Sequence, residues 1–476
     1  MGGRERQALL IADLSYGDAG KGSLVDYLTR LHGAHSVVRY NGGAQAAHNV
    51  VDNDGRHHTF AQFGSGMFTP GVRTHLSRFM LVNPLNMLKE EQHLSSIGIT
   101  DAFQRTSIDE DALIITPFQQ AANRLQELAR DEHRHGSCGM GIGETMADFL
   151  AYGSQVLFAR DLPHRSTVRT KLRFLHDMKL GQLEQIRDQI PDSEQATQEL
   201  RILHDPEVIE DCVDFYHYFA GLAAIVPERY FSQLLAQPGT IIFEGAQGIL
   251  LDEWYGFHPY TTWSTTTLKN AEQLLAEEDY AAEITRIGVM RAYATRHGLG
   301  PFVTEDAQLS CALPDAHNEN NLWQRQFRVG YLDLVATRYA LAIAGLVDYL
   351  AVTNLDRLAQ LPAWNVCDAY TCHGSTEETL SDYFVMQGAS ITQIKPPQHP
   401  DLARQERLTQ LLWHCRPSYH TVHPRKGPGG DVREARDVYL AHIEQSLQRP
   451  IAVTSYGPTA SQKWYDPQVH RVAINP

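Results

Sequence analysis

The 476-residue sequence predicts an α/β fold: a large, mostly parallel central sheet flanked by helices. Two observations predict it. Short apolar runs of β type recur along the chain, each ending in a glycine- or polar-rich turn, with segments of 3.6-residue apolar spacing between them. Runs such as Ile241–Phe243 and Tyr349–Val352 are near-continuously apolar, the pattern of strands covered on both faces. No repeat, low-complexity tract or linker divides the sequence, so residues 1–476 read as a single domain.

The elements follow in order. "ALLIADLS" runs into "YGDAGKG" and then a helix over Leu24–Leu31. A second strand around Ser36–Tyr40 ends in "NGGAQAAHN". From about 120 to 235 the helical pattern dominates ("LGQLEQIRDQI", "CVDFYHYFAGLAAIV"), which predicts an inserted helical cap. "GTIIFEGAQGILLD", "ITRIGVMRAYATRHGLGP", "LVDYLAVTNLDRL" and "RPIAVTSYGPTAS" supply four more strand-to-turn units, with helices over Leu332–Ile343 and Ala435–Leu447. In a parallel sheet, ligands bind at the carboxyl ends of the strands. The unusual turns all follow apolar runs, so they are expected to line one shared site.

Composition narrows the partners. With 56 acidic against 41 basic residues the net charge is −15, which disfavours nucleic acid and anionic membranes but not small phosphates held in a local positive pocket. No apolar run approaches the roughly 20 residues that span a bilayer, and the start has no long apolar segment, so a cytoplasmic location is expected. The six cysteines lack CxxC spacing. Cys372-His373 and His414-Cys415 are the pairs that could seed a metal site, but free thiols are the expectation.

The first turn carries the chemistry. Gly20, Lys21 and Gly22 open a helix, where unpaired N–H groups and the dipole favour a phosphate, and the turn is P-loop-like. Ser15 stands where a standard P-loop has glycine. Asp18 is the anomaly, because a carboxylate repels bound phosphate. Two roles would compensate for that repulsion, holding Mg²⁺ between phosphates or taking a proton from a substrate.

"YGDAGKGSLVD" resembles the Trp-Gly-Asp-Glu-Gly-Lys-Gly-Lys opening of the adenylosuccinate synthetase family. The likeness continues through "VVRYNGGAQAAHNVV", "GIGETMADFL", "FEGAQGILLD", "HPYTTWSTTT", "RAYATRHGLGPFVTE", "VGYLDLVATRYA", "VTNLDRL" and "TSYGP". That family phosphorylates the 6-oxo group of inosine monophosphate with GTP and displaces the phosphate with aspartate. The resemblance implies Asp18 as the base and a Mg²⁺ contact, His48 as the group stabilising the transferring phosphoryl, Lys21 as electrostatic help, and the Ala47 carbonyl as a second metal contact. It implies GTP at Gly20, Lys21, Gly22, Asn354, Asp356, Ser455 and Gly457. The purine monophosphate falls to Gln45, Ser137, Cys138, Gln247 and Thr262, the amino acid to Arg325 and Arg328. A homodimer is implied as well.

The departures are specific. Asn354 replaces a lysine beside the base-reading Asp356, Gln45 replaces an asparagine, and Ser137-Cys138 replaces Thr-Thr. Tyr152 stands where the partner subunit's arginine is usual. In "LWQRQFRVG" Phe327 replaces the middle arginine and Leu322-Trp323 the leading threonines. These changes keep open a ligase that uses another purine nucleotide such as dGMP, or another amine. A nucleotide-binding regulatory protein without turnover is the remaining alternative.

Overall fold

The computed structural model describes residues 5–131, 136–315, 327–373, 377–424 and 432–472. Ten strands form the central sheet: β1 (Gln7–Asp13), β2 (Ser36–Arg39), β3 (Arg73–Leu76), β4 (Thr106–Asp109), β5 (Ala224–Val226), β6 (Thr240–Glu244), β7 (Glu283–Arg291), β8 (Tyr349–Thr353), β9 (Ile451–Ser455) and β10 (Lys463–Tyr465). Their order is β10-β9-β8-β7-β1-β6-β2-β3-β4-β5. Every neighbouring pair is parallel except β9 and β10. The carboxyl ends of β1, β2, β6, β7, β8 and β9 therefore share one edge, and the six turns read from the sequence follow those six strands.

The sheet is buried on both faces, and successive side chains alternate between them. Leu10, Val38, Phe243 and Met290 enter one core; Leu9, Ile11, Val37, Ile242 and Val289 enter the other. Helix α1 (Lys21–His32) covers the second face with Leu24, Val25 and Leu28. The helix over Leu334–Ala344 covers the first. It begins two residues later than its apolar spacing suggests, because Leu332–Asp333 pairs with Val366–Cys367 and the Asp333 side chain caps the helix at Ala336 N.

Within the expected cap lie helices over Pro117–Arg130, Ile142–Tyr152, Arg165–Glu184, Glu194–His204 and Val208–Phe219. Four of them share a core with Phe60, Phe63, Leu76 and Ile108, while Ile142–Tyr152 joins a smaller cluster with Leu81, Leu113 and Leu175. The tail of the helical pattern reads differently in three dimensions. The helix stops at Phe219 and Ala224–Val226 joins the sheet edge as β5, because Gly221 ends the helix and β-branched Ile225 and Val226 favour a strand. Among the described residues no helix is long and apolar enough to cross a membrane.

Candidate active site

The turn after β1 is organised by a residue that its sequence pattern does not single out. Asp13, wholly buried, accepts at Oδ1 from Ser15 N (2.8 Å), Ser15 Oγ (2.7 Å) and Gly17 N (3.4 Å). Its Oδ2 accepts from Ala19 N (2.8 Å) and from Lys21 Nζ (3.0 Å), while Lys21 Nζ also donates to the Gly17 carbonyl at 2.7 Å. Lys21 is thus not an open point charge: both it and Asp13 are sealed from solvent in an ion pair. An ammonium has three donors, and this arrangement uses two.

Asp18 projects from the same turn. Its Oδ2 lies 3.6 Å from His297 Nε2, and no hydrogen bond reaches that buried oxygen. Burial raises the Asp18 pKa, opposed by the charges of His297, Arg291 and Lys21. Arg291 also braces the backbone here, donating from Nη1 to the Asp18 carbonyl at 3.2 Å.

His48 starts the strand His48–Val51 and packs its backbone against the first turn of α1: a methyl at Gly22 would stand 2.7 Å from His48 Cβ and 2.9 Å from its carbonyl carbon. Its Nδ1 lies 2.6 Å from Glu244 Oε1 at the end of β6. Ser65 donates to Glu244 through both N and Oγ. Burial alone would raise the Glu244 pKa; the Arg39 charge and the bonds from His48 and Ser65 outweigh it and hold the carboxyl at about 2. Burial pushes His48 down to about 4. Glu244 is therefore ionised and only accepts, so the proton of the neutral imidazole sits on Nδ1.

Of the residues expected around the purine monophosphate, Gln45 and Gln247 meet at Gly42. Gly42 lies between Gln247 and Gln45, whose Oε1 and Nε2 stand 2.9 and 3.6 Å from where a Cβ would be. Both amide atoms of Gln45 and the Oε1 of Gln247 are buried with no hydrogen-bond partner in the protein. Gln247 holds φ 56°, uncommon for a side-chain-bearing residue. Gly43 meets Ile142, the first residue of the helix that follows Ser137 and Cys138, and Trp263, next to Thr262, meets Gly143 of that helix. Ser137 Oγ donates to Asn123 Oδ1 at 2.9 Å, and burial raises the Cys138 thiol to about 11. Tyr152 packs edge-on against Phe174 of its own chain.

At the far end of the turn, Thr353 Oγ1 donates to the Ala19 carbonyl (2.8 Å), tying "TNLD" to the glycine-rich turn. Asn354 adopts φ 58°, and Asp356 beyond it is exposed. Ser455 Oγ donates to the Gly457 carbonyl (3.1 Å), and Lys463 Nζ ties the carbonyls of Gly457, Pro458 and Thr459. Burial lowers Lys463 to about 8, and Asp26 and Asp356 oppose that shift.

The amino-acid side differs from a simple arginine clamp. Arg325 lies outside the described residues. Arg328 is engaged, Nη1 with Glu305 (2.8 Å) and Nη2 with the Gly300 carbonyl (3.0 Å). Phe327 rests on His297, ring centroids 4.7 Å apart, so an aromatic pair flanks Asp18. All six cysteines are free thiols, and no cluster of three or more His, Cys, Asp or Glu among the described residues can hold a metal by itself. Mg²⁺ does not need such a cluster, since it binds through one or two carboxylates plus substrate phosphates. The Oδ2 of Asp18, which takes no hydrogen bond, fits that use, and Ala47, just before His48, is exposed.

Comparison with known proteins gives this edge its class, a ligase that forms carbon–nitrogen bonds. The chain belongs to the adenylosuccinate synthetase family, whose profile matches residues 10–464. It is 31% identical to the adenylosuccinate synthetase of Salinibacter ruber over 464 residues, covering 95% of this chain and 97% of that one, and 31% identical to the enzyme of Synechocystis sp. over 470 residues, covering 95% and 94%. Its fold is similar to fully ligated adenylosuccinate synthetase from Plasmodium falciparum (TM-score 0.73, 20% identity, 96% of this chain and 99% of that one). It is also similar to cyanophage S-2L succinoaminodeoxyadenylate synthetase (PurZ), solved bound to dGMP and to dATP as an energy donor (TM-score 0.58, 16% identity, 98% of each chain).

Proposed function

We propose that the chain is a GTP- and Mg²⁺-dependent ligase that activates a 6-oxopurine nucleotide at O6 and joins it to an amino acid, with inosine monophosphate and L-aspartate as the first substrate pair to test. The observation that carries this reading is the presence of two unlike acid–base groups on neighbouring turns: Asp18, a half-buried carboxylate whose Oδ2 takes no hydrogen bond and lies 3.6 Å from His297 Nε2, and a neutral imidazole braced by an ionised carboxylate, His48 on Glu244.

Asp18 takes the purine N1 proton, which makes O6 nucleophilic toward the terminal phosphoryl. Its raised pKa brings it toward the range of an effective base. With its proton on Nδ1, His48 offers Nε2 as a basic nitrogen; the negative charge of a bound triphosphate would favour uptake of a solvent proton there, and the imidazolium, stabilised by Glu244, would then stabilise charge on the transferring group. Magnesium, held by Asp18 and the Ala47 carbonyl, would neutralise phosphate charge. Gly20 and Gly22 line the phosphates, while Lys21, paired with Asp13 and the Gly17 carbonyl, supports the turn. Asn354, Asp356, Ser455 and Gly457 hold guanine, and Asp356 suits the role because it is exposed at the rim. Gln45, Gln247, Ser137, Cys138 and Thr262 hold the purine monophosphate; Arg328 and Arg325 serve the amino acid, within a homodimer.

A second reading has its own support. Phe327 against His297, the engaged Arg328, and the replacement of Thr-Thr by Ser137-Cys138 all alter the substrate-gripping parts while the acid–base parts persist. A ligase for another purine nucleotide such as dGMP, or for another amine, follows from that. Mass spectrometry of products after incubation with GTP or ATP, Mg²⁺, inosine monophosphate or dGMP, and an amino-acid pool separates the two. Absence of any product and any phosphate release across the panel would leave only a nucleotide-binding regulator.

A further inference from the structure

We propose that Asp13 is the positioning residue of the phosphate-side turn: its carboxylate sits inside the turn as a built-in anion, fixes the aim of Asp18 and neutralises Lys21. A phosphate-binding turn ordinarily directs its amides outward at the ligand. Here the amides of Ser15, Gly17 and Ala19 all converge on Asp13 instead. Gly17 and Ala19 are the residues on either side of Asp18, so both peptide neighbours of the proposed base are anchored to one buried carboxylate. The remaining oxygen lone pairs take the Ser15 hydroxyl and the Lys21 ammonium, and the latter closes the ring through the Gly17 carbonyl.

This arrangement changes the charge that a nucleotide meets. From Asp13 to Lys21 there are two carboxylates, Asp13 and Asp18, against one cation, Lys21, a formal sum of −1. The turn holds a triphosphate by shape and by the first amides of α1, with no surplus positive charge of its own. Nucleotide binding therefore depends on an added cation more steeply than in a turn whose lysine is unpaired. Asp13 touches no substrate and acts through Asp18 and Lys21.

Asp13→Asn tests this. The amide keeps an acceptor for Ser15 and Gly17 but turns a donor toward Ala19 N and Lys21 Nζ, which frees the ammonium and loosens Asp18. Titration calorimetry with GTP and with ATP in EDTA should give binding about tenfold tighter than the wild-type chain, the order of one charge-assisted contact. Turnover in Mg²⁺ should fall by about tenfold or more, because the base is misaimed. A purely structural role would weaken both together, and that result, or unchanged metal-free binding, overturns the proposal. If Asp13→Asn does not fold, the double variant Asp13→Asn/Lys21→Met removes both charges. Metal-free binding equal to wild type is then expected, and its loss overturns the proposal by showing that Lys21 already served the phosphates. The turnover arm rests on the ligase reading. A wild-type chain that binds neither triphosphate with Mg²⁺ sinks both, whereas a wild-type ligase with weakened binding in the variant sinks this inference alone.

Discussion

His48 Nδ1 and Glu244 Oε1 lie 2.6 Å apart, 196 residues apart in sequence, and the pair fixes which imidazole nitrogen faces the site. Glu244→Gln keeps the size of the side chain but removes the charge that stabilises an imidazolium, and its amide can present a donor to Nδ1. Turnover should fall by roughly 10²-fold, with nucleotide binding within a few-fold of wild type. Steady-state phosphate release and calorimetry measure the two quantities. Equal losses in both would mean that Glu244 supports the fold rather than the imidazole.

Asp18→Asn removes the proposed base while leaving the Asp13 ring intact. Purine-dependent phosphate release from the triphosphate should drop by roughly 10²–10⁴-fold. Unchanged release would take Asp18 out of the chemistry.

Phe327→Arg tests the amine side. The strand Phe327–Gly330 pairs with Ala294–His297, so a cation at 327 would sit beside His297 on the Asp18 flank. The KM for aspartate should fall about tenfold with kcat little changed, as expected for a regained charge-assisted carboxylate contact. An unmoved KM would show that another residue grips the carboxylate.

Acid stability has a definite sign. Burial holds His48 and His75 at about 4, below the ordinary 6.5, so both are neutral in the fold and take a proton on unfolding between those values. The unfolded chain binds more protons there, and stability is full above about pH 6.5 and falls as pH drops toward 4. His75 stacks on Phe231 and bonds Ser107 away from the site. His75→Phe should remove one proton's share of the slope, about 1.4 kcal/mol per pH unit, in urea unfolding between pH 6.5 and 4.5. Parallel pH profiles for variant and wild type would contradict this.

The strands, their shared edge and the turns were legible because continuous apolar runs and glycine-rich turns are local signals. Asp13, Glu244 and His297 were quieter. Each lies within a conspicuous motif, "IADLSYGD", "FEGAQG" and "TRHGLG", but its role depends on partners brought in by the fold or on a side chain turning back beneath its own loop. Glu244 reads as the last residue of a strand until Ser65 and His48 arrive beside it. A carboxylate ending an otherwise apolar buried strand was the available signal, since such a group must find donors. Lys21 is the complementary case: its spacing says phosphate, while the fold puts the chain's own Asp13 carboxylate against its ammonium. Ser137 and Phe327 sit at loop edges, where pattern gives identity but not orientation.

The contact between Gly22 and His48 bears on how such a site can evolve. In the P-loop pattern the residue after the lysine is a serine or threonine whose hydroxyl holds magnesium. Here any side chain at that position would run into the histidine's backbone. The two solutions are sterically exclusive: a lineage that packs this histidine's backbone against the helix forfeits the hydroxyl, and under the proposed mechanism Asp18, elsewhere on the turn, would take over its part.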